Sequence, residues 1–274
     1  MKTYICLTCG TQYAPSMEPP KHCLICEDER QWVPHGGQQW IQDDALADSH
    51  TNQFQELEPN LFEIKTTPSF AIGQRALLIK SKKGNVLWDC LSLVDQASID
   101  TINSLGGLAA IAISHPHFYG AMIDWSRAFG NVPIYIHDKD RDFVMRPDPA
   151  IVFWKGTELQ LTEGVTLIHC GGHFAGSSVL HWGDSADRQG ALLTGDTIFV
   201  TPDTRCVSFM YSYVNLIPVG AKEVMHILTA IKPYKYDRIY SGFRCCKKEA
   251  KQAVAASASR YLNHIECEGF INRI

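Results

Sequence analysis

Ser114-His115-Pro116-His117-Phe118-Tyr119-Gly120 follows directly on the apolar run Leu108-Ala109-Ala110-Ile111-Ala112-Ile113. A short, β-branched apolar run of this kind reads as a buried strand. Two histidines one residue apart, just past a strand end, can turn both imidazoles toward one point. A neutral imidazole on a rigid strand tip is a ligand for zinc or ferrous iron. Alone, the pair is equally compatible with two ordinary loop histidines, so the rest of the chain has to decide.

The 274 residues are 45% hydrophobic and 20% charged, the balance of a soluble globular protein with one large domain and room for a small appendage. A formal net charge of −4 offers no electrostatic case for nucleic acid or an anionic membrane surface. No apolar stretch approaches the roughly 20 residues that span a bilayer, and Met1-Lys2-Thr3-Tyr4-Ile5-Cys6 lacks the apolar core of a signal peptide. Four of the ten cysteines fall in two Cys-x-x-Cys pairs. That pattern fits a metal knuckle in a reducing cytoplasm better than a disulfide framework.

Upstream, Cys6-Leu7-Thr8-Cys9-Gly10 and Cys23-Leu24-Ile25-Cys26 are separated by thirteen residues. Each pair can offer two thiolates to one tetrahedral ion, which assigns Cys6, Cys9, Cys23 and Cys26 to a structural zinc, with a rubredoxin-type iron as the alternative. A redox dithiol is the competing reading, but the βαβ context of thioredoxin-like motifs is absent. So short a segment has no core of its own, and its metal supplies much of its folding energy. Residues 1–36 resemble the rubredoxin-like zinc ribbons. Residues 37–58, polar and carrying Gly36-Gly37 at their start, read as a linker, and residues 59–274 as the main domain.

Within that domain Leu61–Lys65 alternates as a strand, and Ala76–Asp89 reads as a hairpin turning at Gly84-Asn85. Asp89 at its end suits a partner for a ligand histidine. Helices are expected over 98–105, 121–129, 222–230 and 247–262, with strands at 132–137, 159–161, 165–169, 179–182, 191–194 and 238–240. Gly171-Gly172-His173-Phe174-Ala175-Gly176-Ser177 presents one histidine from a glycine-rich turn, and Thr194-Gly195-Asp196-Thr197 exposes an aspartate just after a strand.

Taken together, Asp89, His115-x-His117, Gly172-His173-x-x-Gly176-Ser177 and Thr194-Gly195-Asp196-Thr197 resemble, in order and spacing, the metallo-β-lactamase superfamily. The resemblance runs over nearly all of residues 60–274. It implies an α/β fold of four layers, an αβ/βα sandwich with a metal site at one edge between two sheets. It also implies His115, His117 and His173 as ligands of the first metal, with Asp196 at the bridging position. The superfamily's fullest pattern continues the His-x-His pair as x-Asp-His and adds a late histidine, all for a second metal. Those positions here are Tyr119, Gly120 and Phe243, so a single zinc or iron is expected. Cys245 and Cys246 lie nearby but out of register for a rescue.

Three histidines leave room on a divalent ion for a water whose pKa falls to about 7. The expectation is therefore a metal-dependent hydrolase-like enzyme acting on a small-molecule ester, thioester, amide or phosphoester. Asp196 is a candidate proton acceptor and Tyr119 a candidate substrate or oxyanion partner. Arg205, Tyr211, Tyr213, Asn215 and Arg244 are candidate substrate contacts. The alternatives are a mononuclear iron oxygenase acting on a sulfur compound, resembling the persulfide dioxygenases, and a degenerate binding or sensor module. The ribbon's exposed surface makes a homodimer conceivable.

Overall fold

In the computed structural model residues 1–185 and 188–265 are described; the last part of the domain expected over 59–274, residues 266–274, lies outside them. A seven-stranded sheet runs in chain order through Thr51–Glu58, Leu61–Thr67, Arg75–Ile79, Val86–Trp88, Ala110–Ala112, Ile134–His137 and Ile151–Trp154. Its first three pairings are antiparallel and its last three parallel. The change comes where helical crossovers replace hairpins, as parallel pairing requires. A six-stranded sheet follows, in the order Glu158–Thr162, Val165–His169, Ser178–Trp182, Ala191–Gly195, Arg238–Ser241, Cys245–Cys246.

The central strands are apolar on both faces because both faces are covered. Leu77, Ile79 and Trp88 of the first sheet meet Leu167, Leu180 and Leu193 of the second in a core between the sheets. Their neighbours Ala76, Leu78 and Leu87 point the other way, into a core shared with Ile102 and Trp125 of the helices Gln96–Ser104 and Met122–Ala128. On the far side Ile168 and Leu192 pack beneath Val224, Ile227 and Val254 of Ala221–Ile231 and Ala250–Ile265. Helix, sheet, sheet, helix: the expected four layers are present.

Local chemistry sets several of these elements. Asp95 caps the helix after it by accepting from Ser98 N at 2.7 Å, a contact worth about 1 kcal/mol. The four expected helices appear at Gln96–Ser104, Met122–Ala128, Ala221–Ile231 and Ala250–Ile265.

Residues 37–58 depart from the linker reading. They hold Trp40–Gln42, which pairs with Tyr4–Cys6, the helix Asp43–Ser49, and the edge strand Thr51–Glu58. That edge strand is largely exposed, so its sequence carries few apolar residues to announce it. The N-terminal unit also packs on the main body. Gln12 N donates to Gly120 O at 3.1 Å, and Ser92 Oγ donates to Gly10 O at 2.7 Å.

Candidate metal centre

Strand ends deliver the site. His115 and His117 follow Ala110–Ala112, with Pro116 opening the short 3-10 turn that carries His117. His173 sits in the loop between Val165–His169 and Ser178–Trp182, and Asp196 directly follows Ala191–Gly195. Gly195 has φ of +50°, and a Cβ there would fall 2.4 Å from Ser114 Oγ, so only glycine lets these two strand ends meet.

The four side chains are buried, and their donor atoms all lie within 4.8 Å of one another. His117 Nδ1 is 3.2 Å from His173 Nε2, and His115 Nε2 is 3.6 Å from Asp196 Oδ2. Tetrahedral ligands at zinc–nitrogen distances of about 2.05 Å stand about 3.3 Å apart, so these separations suit one ion.

Hydrogen bonding fixes two of the tautomers. His173 Nδ1 donates to Met210 O at 3.0 Å, which leaves the lone pair on Nε2. The Ser114 hydroxyl donates to Asp89 Oδ1 at 2.7 Å and so accepts from His115 Nδ1 at 2.8 Å. His115 Nε2 is consequently a buried lone pair without a hydrogen-bond partner among the described residues, and Asp196 Oδ1 likewise has none among them. Leaving such groups unmet costs about 1–3 kcal/mol each; a cation at the centre removes the cost for His115. The donor set therefore fits a divalent ion.

Burial pushes His115 and His173 down to about 3, and His117 well below its ordinary value, so the imidazoles are neutral and ligand-ready at pH 7. Burial raises Asp196 to about 6, against a lowering by His173. Asp89 is raised well above the usual carboxylate range by burial, against its hydrogen bonds from Ser114.

The second cluster is the thiol group. Cys6, Cys9, Cys23 and Cys26 are buried and unpaired by disulfides, with Cys6–Cys26 and Cys9–Cys23 sulfur separations of 3.5 and 3.6 Å. Four sulfurs at about 2.3 Å from one zinc stand about 3.8 Å apart, close to what is seen. Hydrogen bonding to Cys23 pulls Cys6 down, while burial pushes Cys9 up. Amide groups of Thr8 and Gln38 also donate to Cys6 Sγ, favouring its thiolate.

A cavity of about 490 Å³ opens onto His117, His173 and Asp196. Phe199, Tyr213, Phe243 and Arg244 of the main body line it, and so do Thr8, Arg30, Gln31 and Trp32 of the N-terminal unit. The Tyr213 hydroxyl donates to Asp196 O at 2.8 Å, and Arg244 stands over the Phe199 ring, 5.7 Å from its centroid.

Other candidates fall elsewhere. Tyr119 is buried away from the cavity with its hydroxyl given to Asp140 O at 3.1 Å, so it does not face a substrate there. Arg205 is exposed beside Asp203 and does not line the cavity, as an arginine in a polar surface turn tends to be. Tyr211 and Asn215 are turned to the N-terminal unit: the Tyr211 hydroxyl donates to the Glu29 carboxylate, and Asn215 Nδ2 donates to Glu29 O at 2.9 Å. Neither lines the cavity. Sequence reasoning missed Ser114, Arg30, Gln31 and Trp32. Only Ser114 carried a signal, its position between Asp89's strand and His115.

At two of the positions where the resemblance implies second-metal ligands, Gly120 and Phe243 offer neither a carboxylate nor an imidazole. Gly120 has φ of +48°, and a Cβ there would fall 2.6 Å from Leu91 O and 2.9 Å from Cys90 O. Phe243 presents a ring, its centroid 6.2 Å from that of Phe118.

Residues 71–242 match the model of the Metallo-beta-lactamase superfamily. The chain belongs to that superfamily. A curated relative, the uncharacterized protein YmaE of Bacillus subtilis (strain 168), is 47% identical over 273 residues, covering 98% of this chain and 99% of its own length. Among solved structures, the DIM-1 metallo-β-lactamase exposed to ceftazidime aligns with a TM-score of 0.57 at 14% identity, over 76% of this chain and 97% of its own. FIM-1 from Pseudomonas aeruginosa in its mono-zinc form gives 0.56 at 12% identity, over 76% and 95%. At these identities the superfamily structures carry the fold and nothing finer.

Proposed function

We propose that the chain is a mononuclear metal-dependent hydrolase, with one zinc or iron held by His115, His117, His173 and Asp196 and a structural zinc held by the four cysteines of a ribbon over residues 1–36. The observation that carries this reading is the convergence of His117 Nδ1, His173 Nε2, His115 Nε2 and Asp196 Oδ2 in one buried cluster beside an open cavity. When bound, the ion supplies Lewis acidity and a water acidic enough to give hydroxide near pH 7.

The residues supply the rest. Ser114 and Asp89 fix the His115 ring, and Met210 O fixes His173. Asp196 faces His115 through Oδ2 and keeps Oδ1 without a partner, so one carboxylate oxygen remains to take a proton. Tyr213 anchors the Asp196 backbone. Phe199 and Phe243 exclude water beside it, and Arg244 at the cavity wall suits an anionic group on the small-molecule substrate. Tyr119 takes no part.

Elemental analysis of the full chain tests the reading, comparing wild type with His115→Ala and Cys6→Ser. Two ions per chain, one lost with each substitution, are expected. One ion untouched by His115→Ala would overturn it in favour of a binding module, and iron at the His115-dependent position would move the chemistry to oxygen.

A further inference from the structure

The N-terminal unit, which also lines the cavity with Thr8, reaches the backbone of His173 through the short segment 28–32. Asp28, two residues past Cys26, receives Arg30 N at 2.9 Å and Arg30 Nη1 at 2.7 Å on each carboxylate oxygen. Held this way, the guanidinium lies between two rings, 4.4 Å from the Phe174 centroid and 4.3 Å from that of Tyr211. Its Nε donates to the backbone carbonyl of His173 at 2.7 Å. Ser212 Oγ in turn donates to Arg30 O at 3.1 Å, and Asn215 Nδ2 reaches Gln31 O at 3.2 Å. The ligand His173 is thus gripped twice, by Met210 O on its ring and by Arg30 on its backbone. Gln31 adds a second sign: it is 6% exposed, lines the cavity, and its Oε1 has no hydrogen-bond partner among the described residues.

We infer that the four-cysteine unit is a working part of the metal centre, its residues 28–32 positioning His173 through Arg30 and closing the cavity with Gln31 and Trp32. The inference rests on the mononuclear reading above. A planar guanidinium suits this task because one fork serves Asp28 and the His173 carbonyl together while its faces stack. Arg30 is a positioning residue: it touches the backbone of a ligand, not the reacting atoms. The two metal positions are consequently coupled. A filled thiol site orders the segment from Cys26 to Arg30, and the ordered segment holds the loop that carries His173.

Metal affinity at the histidine site tests this, measured by chelator competition with cobalt there and zinc in the thiols. Arg30→Ala is expected to weaken cobalt binding about 10- to 100-fold, the range seen when an outer partner of a ligand is lost. Arg30→Lys keeps the charge and all four thiols but loses the Nε donor; it is expected to shift the visible ligand-field bands of the cobalt, whereas Lys83→Ala, at an exposed surface pair, leaves them alone. Cys6→Ser is expected to weaken the histidine site as Arg30→Ala does, and the double variant to lose little more. Two ions in wild type with cobalt affinity unchanged within twofold in both Arg30 variants would overturn the inference alone. A wild type holding only the thiol-bound ion would overturn the mononuclear reading and this inference with it.

Discussion

Asp89 and His115 are joined through a single hydroxyl: Ser114 Oγ donates to Asp89 Oδ1 at 2.7 Å and receives His115 Nδ1 at 2.8 Å. The chain thereby places the acidic partner one step further from the imidazole than a direct carboxylate contact. Ser114→Ala removes the acceptor for His115 Nδ1 and frees the ring to choose the wrong tautomer. Metal affinity at the histidine site should fall about 10-fold or more, read by chelator competition, with the thiol-bound ion retained.

A histidine at position 120, where the resemblance implies a second-metal ligand, cannot be installed by simple substitution. Gly120 sits at positive φ with backbone carbonyls where a Cβ would go. Gly120→Ala should cost about 2 kcal/mol or more in denaturant unfolding. Gly120→His should be at least as unstable and bind no third ion by elemental analysis.

Arg75 holds the loop that ends at Arg244. Buried and paired with Glu63 at 2.6 Å, it also donates to Ser241 O at 2.6 Å and Arg244 O at 2.8 Å. Arg75→Met strands a buried Glu63 beside Lys65 alone. A loss of about 3–5 kcal/mol is expected in urea unfolding; Glu63→Gln in the same background should recover part of it.

Asp140 predicts a pH dependence. It accepts Gly176 N at 2.6 Å, and burial raises it to about 7, against that hydrogen bond. An acid whose folded pKa is raised binds more protons folded than unfolded between the unfolded value of about 4 and the folded one. Its contribution to stability is therefore present below pH 4 and lost as pH rises to 7. Asp140→Asn, which keeps an acceptor for Gly176 N, should flatten that part of the urea midpoint against pH and gain stability above pH 7.

Much of the site was legible in the chain because its chemistry is local. His115 and His117 share one strand end, His173 one glycine turn, and each Cys-x-x-Cys pair one knuckle, so residue type and spacing carried the message. The hairpin over Ala76–Asp89 was legible too, since an apolar run, a Gly84-Asn85 turn and a second apolar run follow one another in sequence. Thr51–Glu58 was not, because an exposed edge strand needs backbone partners and little else. Tyr119 misled for a different reason: a phenol beside two candidate ligands looks available until Asp140 O, from another element, claims its proton. Arg30 and Trp32 carried no local sign at all, since what they touch is set by tertiary packing.

Those long contacts bear on the order in which the molecule assembles. Arg30 and His173 are 143 positions apart, and Asn215 meets Glu29 across 186. Closing so large a loop costs entropy before any contact returns it, and chains rich in such contacts fold slowly. The four thiols leave the ribosome long before the loop they brace has been made. Completion of the cavity wall is therefore a late event, one that waits on segments far apart in the polypeptide, and the four thiols of a nascent chain are made well before the loop that carries His173.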